Sequence, residues 1–365
     1  MKKIITLLMI SLIALSVFAQ GGTEKTKAAF IEHESERPET LDAYPVTGLA
    51  FDATTSVKAN KKYQIAMIVK NNTNPFMNGV LEGFKKAGED VGVEAILLSP
   101  AIADSNEEQA RLVDDMIARG VDAICIHPVD SNGIVPALER AYEAGIPVLV
   151  QGTKANTDKI YGWYGTDYYE QAVQLAEYIA KTLNYTGNVI YIPGPPQAQN
   201  SQDRTNAFHT VFDKYPNLNI IAEQPGNFNR ATSLDVVSNL LQKYSTKDFC
   251  AIIGGNDESA MGALMACQAA GVNTKFSEGG ILISGFDCNK DASYAIQDGT
   301  ITVSSNPDPV SLGYIGCVFL TQYLNDGKLF PKSFVAWPDF NNPEVDVVVD
   351  SSKIDDYIAN KAWWK

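Results

Sequence analysis

Asn74, Phe76, His127, Asp130, Gln151, Asp203, Arg204, Phe228, Asn256, Asp257, Asp287, Asn306 and Asp308 share one position in the chain's rhythm: each falls just past a short apolar run. Most of their side chains are planar forks of donors and acceptors, which match vicinal hydroxyls in pairs, and two carry rings that can cover the apolar face of a sugar. A neutral polyol is the ligand this chemistry suits. The stretch 62–77, KYQIAMIVKNNTNPFM, sets the pattern, because its loop holds amides, a proline and a ring. A dinucleotide or triphosphate site would need a Gly-rich turn or G-x-x-x-x-G-K-[ST] there.

Each residue also has a plainer reading. Asn and Asp after strands serve as turn residues and helix caps, so Asp257 reads equally as cap or ligand, and Asp130 and Asp167 read as caps. Phe76 or Phe228 alone reads as core, and His127 beside Pro128 as a satisfied histidine. Arg204 stands at the start of a predicted helix, where its charge opposes the dipole, so it points to a role outside that helix.

Hydrolytic chemistry finds no support. The chain has neither G-x-S-x-G nor H-E-x-x-H, and only 3 His. Asp287 to Asp291 begins like a calcium loop, yet Ala292 stands where the sharp turn needs Gly, so no metal is expected. Cys125, Cys250, Cys267, Cys288 and Cys317 are widely spaced and odd in number, and read as buried thiols with room for at most one disulfide outside the cytoplasm.

The elements that position these residues follow from apolar periodicity. From residue 62 short β-type runs alternate with helical stripes: 65–69, 93–98, 121–126 and 146–150, then, after Gly165-Thr166-Asp167, 188–192, 219–223, 250–253, 281–285 and 301–304. Intervening stripes such as Met77, Val80, Leu81, Phe84, Ala87 and Val91 predict helices; Ser105 and Glu108 predict a capping box, and Arg204 is expected to open the helix 204–215. Two such runs predict two parallel sheets, each crossover needing a helix. A β-type run at 345–349 and a short helix end the chain.

A chain of 365 residues with 45% apolar composition supports two domains. Lys2 and Lys3, the apolar run 4–17 and the small residues before Gln20 read as a cleaved secretory leader, residues 1–19. Residues 20–60 are polar and aperiodic, an expected linker or loosely attached arm, with the charged patch 33–39 read as solvated. The formal net charge is −14, and loss of Lys2 and Lys3 lowers it by two, to −16. Such a field repels nucleic acid.

Asn74-Pro75-Phe76, Arg204-Thr205-Asn206-Ala207-Phe208, Gly255-Asn256-Asp257-Glu258 and Gly285-Phe286-Asp287, in that order and spacing, resemble the type I periplasmic binding proteins of the ribose and galactose class. The resemblance spans about 62–349. It implies an α/β fold of two similar lobes, each a Rossmann-like sandwich on a parallel sheet, joined by a three-strand hinge. Residues 61–166 with 307–338 would form one lobe and 167–306 with 339–365 the other, crossing near Thr166, Asn306 and 337–339. It implies sugar contacts at Asn74, Phe76, Arg204, Phe228, Asn256 and Asp287, with Gln151, Asp203 and Asn306 beside them. His127 stands where the ribose branch holds an Asn, Met77 replaces a second ring, and Gly152-Thr153 replaces an Asp-Arg pair. The implied ligand is therefore a larger, deoxy or substituted sugar, or a cyclic polyol, in place of ribose. The implied role is capture of that ligand in the periplasm by a monomer without cofactor, and delivery to an ABC-type permease. Feeding a chemoreceptor or sensor kinase is the alternative, and hydrolysis of a glycoside or nucleoside the rival. The same fold resembles the effector domain of lac-repressor-type regulators.

Overall fold

The computed structural model describes residues 37–41, 43–48, 52–336 and 347–365. The expected leader and the third hinge crossing at 337–339 lie outside them. In chain order the first run is β1 (Gln64–Ile68), α1 (Pro75–Val91), β2 (Glu94–Leu98), α2 (Asn106–Arg119), β3 (Ala123–Ile126), α3 (Val135–Glu143), β4 (Val148–Gln151) and β5 (Gly162–Gly165). The second run is α4 (Tyr168–Thr182), β6 (Thr186–Ile192), α5 (Gln199–Phe212), β7 (Asn217–Glu223), α6 (Arg230–Lys243), β8 (Ala251–Gly254), α7 (Asp257–Ala269), β9 (Leu282–Phe286), α8 (Lys290–Gln297) and β10 (Val303–Ser305). The chain then forms α9 (Pro309–Asp326), β11 (Ser333–Val335) and β12 (Val348–Asp350).

Two sheets result, ordered β11-β5-β4-β3-β1-β2 and β12-β10-β9-β8-β6-β7. The first is parallel throughout, and the second is parallel except that β12 runs against β10. The central strands β3, β4, β8 and β9 are buried along their length, as continuous apolar runs covered by helices on both faces must be. Helix ends follow local chemistry: Gly92 and Gly120 close α1 and α2 with φ of 86° and 72°.

Four expectations change. The helix holding Arg204 begins at Gln199, so Arg204 lies in its second turn and faces no dipole penalty at the first. β5 and β11 were not expected; Gly-Trp-Tyr-Gly and Ser-Phe-Val are too short and mixed to show alternation. Ser105 accepts from the Glu108 amide, but Glu108 reaches back to the Ile102 amide instead of Ser105, leaving half a capping box. The arm is not loose where it is described. Val46 and Ala53 are buried in the first lobe's core, Thr47 and Thr54 bridge, and the Tyr44 ring meets Phe319 at 5.9 Å. All five cysteines are free.

Candidate functional site

In both sheets the loops leaving the strand carboxyl ends face one cleft. The first jaw is built from the loop after β1. Asn71 accepts the amides of Thr73 and Asn74 and donates to Asp104, fixing the turn. Asn74 caps α1 by accepting the Phe76 amide at 3.0 Å, with Pro75 at the first helical position. Its carboxamide oxygen is thus engaged. Lys70, buried at 4% exposure, brings an ammonium into this jaw; burial lowers it to about 8.

His127 completes the jaw in an unexpected way. Its Nδ1 lies 2.6 Å from Gln151 Oε1, and its Nε2 accepts the Thr153 amide at 3.4 Å. Burial, and secondarily the Lys70 charge, hold the imidazole well below its ordinary range, so it is neutral. With both nitrogens engaged, the ring offers the cleft carbon, and it meets Phe76 edge-on at 6.3 Å. Gly152 makes this arrangement possible. At φ +69° a Cβ there would lie 2.4 Å from His127 Cε1, so the histidine occupies the space of the side chain that Gly152 lacks.

The second jaw is layered on Arg204. Its guanidinium stacks 4.1 Å over Phe286, with Tyr168 at 5.2 Å and Phe228 at 5.6 Å. Nη1 donates to the Gly255 carbonyl at 2.7 Å, Nη2 lies 3.9 Å from Asp287, and Nε has no hydrogen-bond partner. A buried donor on a charged group without an acceptor is costly unless a ligand supplies one. Phe228 is held at φ +57° beside Asn227 at +55°, a strain on the order of 1–2 kcal/mol per residue. The ring fills the notch left by Gly194, where a Cβ would sit 2.1 Å from it. Across the cleft the Lys70 ammonium lies 6.0 Å from the same ring.

Asn256 mirrors Asn74. It caps α7 by accepting the Ser259 amide at 2.9 Å and hydrogen-bonds Asp287 with the rest of its amide. The Asp287 carboxyl is raised by burial against the opposing pull of Arg204. Asp257 is neither cap nor ligand. It stands inside α7, accepts the Ser304 hydroxyl and the Asn289 amide, and is raised by burial and by Asp287.

Asn74, Phe76, Met77, His127, Arg204, Phe228, Asn256 and Asp287 therefore line one cavity, with ≈ 550 Å³ of atom-free space partly continuous with solvent. Four candidates do not line it. Gln151 stands behind His127 and orients it. Gly152 and Asp203 belong to an adjoining chamber. Asn306 uses its oxygen on the Asp308 amide and the Tyr357 hydroxyl, a turn role. Sequence reasoning missed Lys70, Asp104, Tyr168 and Asn200. Lys70 directly follows the β1 run and was legible there; Tyr168 and Asn200 open helices on the far lobe, where only the fold places them.

The lobes touch on one side of the cavity. Ser131 donates its amide to the Gln197 carbonyl and accepts the Gln199 amide, each at 3.3 Å, while Thr153 donates to Asn200 at 3.1 Å. Among the described residues no cluster of three metal-ligating side chains occurs, and no helix is long and apolar enough to cross a membrane.

Known proteins resemble this chain in sequence and fold. The ribose import binding protein RbsB of Bacillus subtilis is 30% identical over 302 residues, covering 81% of this chain and 94% of that protein. A D-ribose/D-allose-binding protein of Pseudomonas aeruginosa is 29% identical over 258 residues, 67% of this chain and 77% of its own. A solute-binding protein of an Actinobacillus succinogenes ABC transporter, solved with bound D-allose, superposes with a TM-score of 0.72 at 26% identity, covering 81% of this chain and all of that one. The model of the periplasmic binding protein domain matches residues 65–329. With two α/β lobes around a cleft and a match over most of its length, the chain belongs to the periplasmic binding protein family of the ribose class.

Proposed function

We infer that this protein captures a sugar or sugar-like polyol between its lobes, outside the inner membrane, and delivers it to an ABC permease. The observation that carries the reading is the pair of opposed jaws: Asn74, Phe76 and Lys70 from one sheet, and Arg204, Phe228, Asn256 and Asp287 from the other. Both present rings beside planar polar groups. A ligand touching both jaws has more contact with the closed form than with the open one, and only such differential affinity drives closure. Closure about a hinge is the known behaviour of periplasmic binding proteins as a class. The leader read at residues 1–19 gives the route out of the cytoplasm, and the import relatives support the permease as recipient.

Ribose is not the ligand this cleft favours. Where the ribose branch is expected to hold an Asp-Arg pair, Gly152 and Thr153 stand, and the wall is the carbon edge of His127. A thermal-shift panel of pentoses, hexoses, deoxysugars, inositols and nucleosides tests the reading, since binding to the native state raises its melting point by mass action. At least one sugar or cyclitol should raise it, and Arg204→Met should abolish that shift. A panel in which only nucleosides respond, or nothing does, would overturn the sugar reading.

A further inference from the structure

Tyr168 and Asn200 stand at the boundary of the cleft. Both residues also line a second space on the hinge side, between the β5–β11 edge of the first sheet and the start of α4 and α5. It holds ≈ 740 Å³ of atom-free space, partly continuous with solvent. Gly152, whose missing side chain admits His127, also forms part of its wall.

Its lining repeats the chemistry of the cleft. The Trp163 indole supplies an aromatic face, steadied by its Nε1 donating to the Gly152 carbonyl at 2.7 Å. The exposed Lys154 lays its ammonium 4.6 Å over that ring. Gln199 donates to one oxygen of Asp203 at 2.8 Å. The hydroxyls of Thr166 and Tyr168, at 1% and 4% exposure, face each other without forming a well-made hydrogen bond, and neither has another partner among the described residues. Two buried hydroxyls, a half-buried carboxyl and an indole face around an open space form a set that hydroxyls satisfy and a plain alkyl or aryl group does not.

We propose that the ligand is bipartite: one sugar ring lies between Phe76 and Phe228, and a second hydroxylated ring or polyol chain passes Tyr168 and Asn200 into the chamber walled by Trp163, Thr166 and Asp203. This rests on the reading of the cleft as a sugar site and narrows it to disaccharides and polyol glycosides. Single sugars fill only the first part. The chamber's exposed rim at Lys154 and Ser333 lets the second unit enter before the lobes close.

The test is calorimetry on the full mature chain with two probe sets, free pentoses and hexoses, and disaccharides built from them. At least one disaccharide should bind about tenfold or more tighter than either of its component sugars. That ratio should collapse toward one in Asp203→Ala, which removes a chamber acceptor, and in Ser333→Trp, which fills the rim from an exposed strand position. Far-ultraviolet circular dichroism of both variants checks folding. A monosaccharide binding as tightly as every disaccharide, or a ratio unmoved in both folded variants, would overturn the bipartite site while leaving the sugar cleft standing. Absence of binding by either set overturns both.

Discussion

Lys70 brings an ammonium from the first lobe to the face of Phe228 on the second, and its charge state falls within reach of ordinary buffers. Burial is the main cause of its descent to about 8; Asp104 and Asp287 oppose it, and Arg204 adds to it. Below that value the ammonium is intact and a ligand acceptor meets a charged donor; as pH rises through it the charge is lost and the contact weakens. Above about pH 7, the value to which Asp287 is raised, ligand affinity should therefore fall about fivefold by pH 9.5, the difference between a charged and a neutral hydrogen bond. Lys70→Met should bind more weakly at neutral pH and show no such fall. A slope persisting in Lys70→Met would assign it to another group of the cleft. At this scale the sequence was legible where a cleft-lining side chain comes directly after a strand, as Asn256 and Asp287 do. It was not legible at His127, whose meaning depends on three neighbours. The type of residue promised hydrogen bonds, but Gln151, Thr153 and the vacant side of Gly152 turn its nitrogens away.

At the scale of elements, α1 and α9 decide how firmly the first jaw is mounted. They cross at reciprocal glycines. A Cβ on Gly83 would lie 1.9 Å from the Val310 carbonyl oxygen, and one on Gly313 the same distance from that of Val80. Both obstacles are backbone, so neither side can yield by turning a rotamer. Gly313→Ala should then cost about 3 kcal/mol or more by forcing the helices apart, read as a lowered urea midpoint with an unchanged m-value. A loss under about 1 kcal/mol would show that the pair slides freely. Neither glycine drew notice in the sequence, because a helical glycine looks alike whether it faces solvent or another backbone. The strands tell the opposite story. Continuous apolar runs such as Ala123–Ile126 are visible because both their faces are buried, whereas β5 and β11 form the sheet's far side from residues that alternation cannot distinguish from loop. The late prediction of α5 has the same origin: Gln199–Gln202 is helical by position, with little apolar periodicity of its own.

For the whole molecule, the interlobe hydrogen bonds at Ser131 and Thr153 hold the cleft shut from one side only. They involve neither jaw's ring nor its charges, so they weigh on the balance of open and closed forms more than on ligand contacts. Removing both hydroxyls, Ser131→Ala with Thr153→Ala, should weaken apparent affinity about tenfold by lowering the closed population, with a more extended particle by small-angle scattering in the unliganded state. Unchanged scattering and unchanged affinity together would show that these contacts are incidental to closure. Two lobes and their pairing were readable from the repeated rhythm of the chain; contacts made only when the lobes meet were not, since they join residues with no common period. The packing of Val46 and Ala53 onto the first lobe escaped notice likewise, because two short apolar anchors in a polar stretch carry no periodicity.

The tail after β12 carries one more consequence. Trp363 donates its indole N–H to the carbonyl of Asp287, the turn held at φ +111°, while Trp364 donates to that of Cys288. The far edge of the Trp363 ring reaches the first lobe, so near α1 that a Cβ on Gly79 would come within 2.9 Å of it. One fluorophore thus rests on the backbone of a ligand-facing turn and on the opposite lobe at once. Opening the hinge would wet one side of that indole and shift its emission toward the red, so the unlabelled protein carries its own optical gauge of occupancy. A reporter fused directly after Lys365 would disturb the very element that does the reporting; sensors built on this scaffold belong at an internal loop.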